Sequence, residues 1–180
     1  MTPPSSEPDT EREADPNDVV LQGERLTLRR AVPGDADALA LILSEPEVTR
    51  WWGPYDPETA LDELDTSFVI LLGDVVAGWL LIDEEEWWQY PQVAFDIALT
   101  TALHGRGYGQ EALRIAIRHF IARGHHRFQI DPAVDNARAI RTYAAVGFRP
   151  VGILRKCERR DDAWHDALLM DLLAAEFIDG

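Results

Sequence analysis

Cysteine is almost absent: Cys157 is the one thiol in 180 residues. That excludes an intramolecular disulfide framework and any zinc site built on several thiolates. No apolar run approaches the roughly eighteen residues that a membrane-spanning helix needs, so no contact with the bilayer interior is expected. The opening MTPPSSEPDTEREADPND is acidic and lacks the apolar stretch of a secretory signal, so the expected compartment is the cytoplasm. Basic residues are also scarce. Seventeen Lys and Arg against 32 Asp and Glu leave a net charge of −15. This argues against a nucleic-acid binder held by phosphate neutralisation and against attraction to anionic lipid.

Apolar residues make up 46% of the chain, enough for one domain that folds without staples. Residues 1–20 mix Pro, Ser, Asp and Glu and cannot bury enough surface to offset ordering. They are expected to form a disordered acidic tail ahead of a single domain over 21–180. The charge is unevenly spread. Residues 31–100 carry a net −14, residues 101–160 a net +8, and the last twenty a net −6.

Leu26 and Leu28 alternate with Thr27 and Arg29 as a short strand, and Pro33-Gly34-Asp35 reads as a turn with Asp35 capping a helix. Asp56-Pro57 opens another helix. SFVILL and VVAGWLLI flank Gly73-Asp74, a hairpin signal. QVAFDIAL (92–99) is apolar on both parities except at Asp96, which suggests an inner strand. A helix follows from Gln110 to Arg123, with Gly124 placed to end it. RFQID (127–131), a helix from Asn136 to Val146, and strands in GFRPVGIL and HDALLMDL complete an alternating α/β pattern.

Between the strand at 92–99 and the helix at 110 lies His104-Gly105-Arg106-Gly107-Tyr108-Gly109. Three glycines let backbone N–H groups approach a ligand, and the helix start adds free donors and a positive dipole end. This suits a pyrophosphate, though three glycines before a helix, taken alone, more often mark a plain turn than a ligand site. The loop is neither a P-loop nor a G-x-G-x-x-G dinucleotide motif. Asn136 and Tyr143, two helical turns apart, project from one face. In purely structural terms Asn136 caps the helix and Tyr143 packs.

The stretch 92–148 resembles the GNAT superfamily of acyl-CoA-dependent N-acyltransferases. Its acyl-CoA motif, Gln/Arg-x-x-Gly-x-Gly/Ala, corresponds to 104–109, with His104 departing from the usual Gln or Arg. Asp135 to Tyr143 and Gly147-Phe148 are also typical. The resemblance implies the GNAT fold: a single mixed, mostly antiparallel sheet flanked by helices, with central strands splayed at the acyl-CoA site. It implies acetyl-CoA held by Ile97, Ala98 and Leu99, by His104 to Gly109 (Arg106 and Tyr108 included) and by Asn136. It accounts for the +8 segment as a field for a phosphorylated donor.

The acceptor side is marked by Trp51-Trp52-Gly53 and Trp87-Trp88 in apparent loops, and by Asp96 on its apolar strand. Exposed paired tryptophans either pack or wall a ligand site, and a carboxylate on an inner strand needs a partner. These residues, with Asp131 and the segment that follows it, resemble aminoglycoside 6′-N-acetyltransferases. The resemblance implies Trp51, Trp52, Trp87, Asp96 and Asp131 around a cationic small-molecule amine, Asp96 as base and Tyr143 as acid. A further carboxylate near Asp161 or Asp162 would fit. Other acceptors remain open: a protein N-terminus, a polyamine or a siderophore-precursor lysine. So does a non-catalytic acyl-CoA sensor. Cys157 as an acyl carrier lacks a base beside it. His125-His126 reads as a solvated turn, and no metal is expected. The protein is expected to be a monomer or homodimer.

Overall fold

A computed structural model describes residues 19–53 and 64–179. Residues 1–18 of the expected tail (1–20) and the expected helix at Asp56-Pro57 lie outside the described residues. The fold begins one residue inside the expected tail, where Val20 opens a strand missed by periodicity.

Eight strands form one sheet: β1 (Val20–Gln22), β2 (Leu26–Arg30), β3 (Ser67–Leu72), β4 (Val75–Glu85), β5 (Gln92–Leu99), β6 (Arg127–Ile130), β7 (Arg149–Arg160) and β8 (Ala163–Leu173). Their order is β1-β2-β3-β4-β5-β6-β8-β7, and every neighbouring pair is antiparallel except β5 and β6. Among the described residues, four helices of eight, seven, fifteen and ten residues accompany it: α1 (Ala36–Leu43), α2 (Pro46–Trp52), α3 (Tyr108–Ala122) and α4 (Ala137–Val146). The mixed, mostly antiparallel sheet with flanking helices is the expected architecture.

The hairpin between β3 and β4 turns at Gly73, whose φ of 62° only glycine adopts freely. Alternation along the strands separates two cores. Leu28, Phe68, Ile70, Leu80, Phe95 and Phe128 pack against α3 and α4 on one face. Val69, Trp79 and Ala98 pack against α1 and α2 on the other. Trp79 is fully buried, and its indole N–H donates to Ser67 Oγ at 2.8 Å, satisfying the polar atom. Asp35 stands at the N-cap of α1 as expected, but its side chain makes no cap bond. Its carboxylate pairs both oxygens with Arg29 at 2.7 and 2.8 Å and accepts from Val32 N, because the chain enters α1 through a 3-10 turn that aims the side chain back at β2.

The parallel pair β5–β6 is short. Its register runs from Gln92↔Arg127 to Ala94↔Gln129 and stops. Beyond it β6 gives way to Pro132, which has no N–H, and the chain turns to β8: Leu168 N donates to Pro132 O, and Ala133 bridges Ala167. Strand β5 therefore runs on from Phe95 to Leu99 with only β4 beside it. Ala98 O faces β4, since a Cβ on Gly78 would lie 2.5 Å from it, and Thr100 N donates to Ala77 O. By alternation, the backbone groups of Ile97 and Leu99 point into the opened gap.

Candidate active site

The gap opens into a cavity of about 400 Å³, a volume suited to a small ligand or the arm of a larger one. On one side lies the glycine loop. Gly105 and Gly107 have φ of 71° and 82°, values that would strain any residue with a Cβ. Gly107 stands at the N-cap of α3, so the first N–H groups of that helix have no intrahelical acceptor and Tyr108, Gly109 and Gln110 face the cavity. Glu111, in the first turn, docks this helix end. It accepts from Arg25 N at 2.7 Å, Leu26 N at 3.0 Å and Arg25 Nε at 2.7 Å. Burial works against its ionisation, but these donors outweigh that and hold its carboxyl below the ordinary value. Backbone donors at a helix start, beside glycines in left-handed conformation, fit the pyrophosphate of a nucleotide-bearing donor.

His104 ties the loop to its surroundings. Its Nε2 lies 2.9 Å from Leu99 O, and Arg138 Nη1 lies 2.5 Å from its Nδ1. Asn136 caps α4, its Oδ1 accepting from Ala139 N at 3.1 Å. Capping and cavity lining coexist at this residue.

The other wall belongs to α2. Pro46 at its start and Gly53 at its end (φ 72°) bound a helix that closes with Trp51 and Trp52. The tryptophan pair thus ends a helix and does not stand in a loop. Trp52 stacks on Trp79 with ring centroids 5.9 Å apart. Arg50 and Arg160 lie over Trp51, at 4.9 and 5.4 Å from its ring centroid. Glu45, just before α2, binds the chain after β5. Its carboxylate accepts from Thr100 Oγ1 at 2.6 Å, Thr101 N at 2.7 Å and Thr101 Oγ1 at 2.5 Å. The two walls are therefore joined through one side chain.

Among the described residues, four carboxylates line the cavity, Glu47, Asp96, Asp131 and Glu158, with one guanidinium, Arg138; Glu158 is ion-paired with Arg160 Nε at 2.8 Å. Asp96 also borders a second, more open recess with Asp131, Asp83 and Glu86. Tyr143 is 8% exposed. Burial raises its phenol well above the ordinary value, the charges of Asp96 and Asp131 raise it further, and Arg138 opposes. The phenol therefore keeps its proton across the working range. Burial also raises Asp131.

Ile97, Ala98, Leu99, His104, Gly105, Gly107, Tyr108, Gly109, Asn136, Trp51, Trp52, Asp96, Asp131 and Tyr143 all border this one cavity. Two candidates stand outside it. Trp87 is 59% exposed in the turn between β4 and β5, because that turn lies at the opposite end of β5 from the gap. Arg106 is exposed and does not line the cavity: its guanidinium lies 5.6 Å from the Tyr108 ring centroid, and its carbonyl accepts from Arg25. Asp161 and Asp162 form the β7–β8 turn at φ of 49° and 58°, and Glu158 supplies the further carboxylate instead. His125 is buried against Glu84 Oε1 at 2.5 Å and not solvated, because its ring packs on Phe120. Glu45, Glu47 and Glu158 gave no local sequence signal. Among the described residues no group of His, Cys, Asp and Glu is arranged to hold a metal, and no helix is long and apolar enough to cross a membrane.

The positive segment is largely engaged with other groups of the protein. Of its twelve bases, seven make ion pairs, among them Arg118 with Asp179, Arg123 with Glu84 and Glu86, and Arg127 with Asp171. Arg114 binds the carbonyls of Ala145 and Ile178. Arg138 alone of the twelve borders the cavity.

A family model described as an acetyltransferase (GNAT) domain matches residues 25–149. The "Uncharacterized N-acetyltransferase p20" of Bacillus licheniformis is 26% identical over 177 residues, covering 87% of this chain and 97% of that protein. Among solved structures, the ribosomal-protein-S5-alanine acetyltransferase of Vibrio fischeri superposes with a TM-score of 0.76 at 19% identity, over 89% of this chain and 100% of that one. The spermidine N-acetyltransferase of Vibrio cholerae, solved with CoA and spermine, gives 0.72 at 21% identity over 84% and 97%.

Proposed function

The chain belongs to the GNAT family of acetyltransferases, enzymes that use acetyl-CoA, and from that premise we propose that its acceptor is a polycationic small-molecule amine, an aminoglycoside acetylated at its 6′-amino group. The observation that carries this is the cavity wall itself: among the described residues, four carboxylates, of which Glu158 is ion-paired with Arg160, and two tryptophans line it with one guanidinium. A cationic acceptor is attracted there and a neutral or anionic one is not. Trp51 and Trp52, where they border the cavity, add apolar surface for a sugar ring.

Acetyl-CoA supplies an acyl group activated as a thioester. The chain's part is to hold donor and amine together, since approximation accounts for much of the rate in such reactions. The free N–H groups at the start of α3 and the glycine loop hold the pyrophosphate. The backbone groups of Ile97 and Leu99 line the arm, and an N–H there polarises the acyl carbonyl. The carboxylates attract the ammonium but also favour its protonated, unreactive form. Asp96 takes the proton, directly or through water. The Tyr143 phenol, held protonated by burial and by its acidic neighbours, gives a proton to the leaving sulfur.

Thiol release from acetyl-CoA, measured against aminoglycosides, polyamines and peptides beginning with a free amine, tests the reading. Turnover on aminoglycosides at least tenfold above the other classes is expected. The likeness to the spermidine enzyme makes a polyamine the specific second reading, since spermine would suit the same carboxylates. Preference for a peptide N-terminus, the acceptor class in the name of the Vibrio fischeri protein, would overturn both. Tight CoA binding with no thiol released on any amine would favour a sensor.

A further inference from the structure

His104 occupies the position where the donor motif of the family carries Gln or Arg, yet neither of its ring nitrogens is free for a donor. The gap between β5 and β6 strips Leu99 O of a strand partner, and the ring supplies one at 2.9 Å. The other nitrogen faces Arg138 Nη1 at 2.5 Å. A guanidinium only donates, so Nδ1 must carry its lone pair and Nε2 its proton. The ring is therefore neutral, in the Nε2–H form. We propose that His104 is a positioning residue: one neutral imidazole holds the free end of β5 through Leu99 O and holds the Arg138 guanidinium at the mouth of the donor loop. This rests on the reading of the loop as the acetyl-CoA site.

The arrangement is self-consistent electrostatically. Burial lowers the proton affinity of His104 below the ordinary value and Arg138 lowers it further, while Leu99 O, Glu45 and Glu47 oppose. Arg138 faces the ring from α4, and Glu45 and Glu47 face it from the α2 side. A second proton would place N–H against N–H at the 2.5 Å contact and a cation against a guanidinium, so the contact could not survive. Ionisation of His104 and donor binding should then oppose each other.

CoA binding to the full chain is measured by calorimetry between pH 8 and pH 5 for wild type, His104→Asn and His104→Leu. Asn keeps an acceptor for Arg138 and cannot ionise. At pH 8 it should bind CoA about tenfold or more tightly than Leu, which keeps neither contact. Wild-type affinity should fall relative to His104→Asn as the imidazole is protonated, by up to about tenfold per pH unit below its ionisation. Titration of the phosphates of CoA cancels in that ratio. Nitrogen NMR of the free wild-type protein reads the tautomer whether or not a variant folds. An Nε2–H neutral ring at pH 7 supports the proposal. A charged ring or the Nδ1–H form at pH 7 overturns it, as does a flat affinity ratio across the pH range where NMR shows the ring protonating, or wild-type affinity in His104→Leu. Failure of wild type to bind CoA at pH 8 overturns the donor-site reading instead, and is separable because the tautomer is read without ligand.

Discussion

Replacing Glu45 with Ala should loosen the acceptor wall while leaving the donor loop intact. The carboxylate accepts three hydrogen bonds, from Thr100 Oγ1, Thr101 N and Thr101 Oγ1, at 2.5 to 2.7 Å. Hydrogen bonds to a charged group are worth about 1.5–3 kcal/mol each when well shielded. Two of these three are solvent-exposed, so a net loss of about 2 kcal/mol is the reasonable expectation. For a chain of this size that lowers Tm by roughly 4–8 °C. Because Glu45 ties the start of α2 to the end of β5, the KM for the amine should rise several-fold while the Kd for CoA changes little. The pH dependence follows from the sign of the shift. Burial pushes the Glu45 carboxyl up, but the Thr100 and Thr101 donors outweigh it and hold the group below its ordinary value of 4.5. Stability from a depressed carboxyl is fully present above the unfolded-state value and is lost as pH falls through the folded one. The Tm gap between wild type and Glu45→Ala should therefore be widest near neutrality and narrow below about pH 4. Thermal melts by differential scanning calorimetry from pH 7 to pH 3, with amine KM at pH 7, check all three parts. An unchanged Tm at pH 7, or a gap that widens in acid, would refute the reasoning.

Tyr143→Phe should lower kcat by about a hundredfold or more with little change in the acetyl-CoA KM, as expected for loss of a general acid; near-wild-type kcat in steady-state assays would remove that role. Asp96→Asn should cripple turnover on polycationic amines, and Asp131→Asn should chiefly raise their KM. Full activity in Asp96→Asn would move proton removal to water. Gly107→Ala forces a Cβ onto a residue at φ 82°, at a cost of about 1–3 kcal/mol. Weaker CoA binding together with a lower Tm is expected, and calorimetry showing neither would mean that the loop relaxes without penalty.

Much of the frame could be read from local pattern. The hairpin at Gly73, the inner strand at 92–99, the glycine loop and the capped helix from Asn136 to Gly147 each rest on a few adjacent residues, so a linear reading finds them. Helix α2 was missed although Pro46 and Gly53 bracket it, because seven residues are too few for periodicity to show. Trp87 looked like Trp51 for a different reason: a tryptophan pair carries no information about which end of a strand it lies on. His125 looked solvated because nothing in its neighbours reveals that Glu84 arrives across 41 positions.

The net charge of −15 and its division along the chain are properties of the sequence alone, as are the donor-loop motif and the alternation that separates the two faces of the sheet. Where those charges stand is a tertiary matter. Half of the twelve bases in the positive segment pair with acids from other segments, and Arg138 faces the cavity. Glu47, Asp96, Asp131 and Glu158, spread over 112 positions, meet around it. Sheet pairing, the turn of the chain at Pro132 and the burial of Trp79 beneath α2 bring them together. A site made by parting two strands depends on contacts distant in sequence, and such contacts leave no local pattern to read.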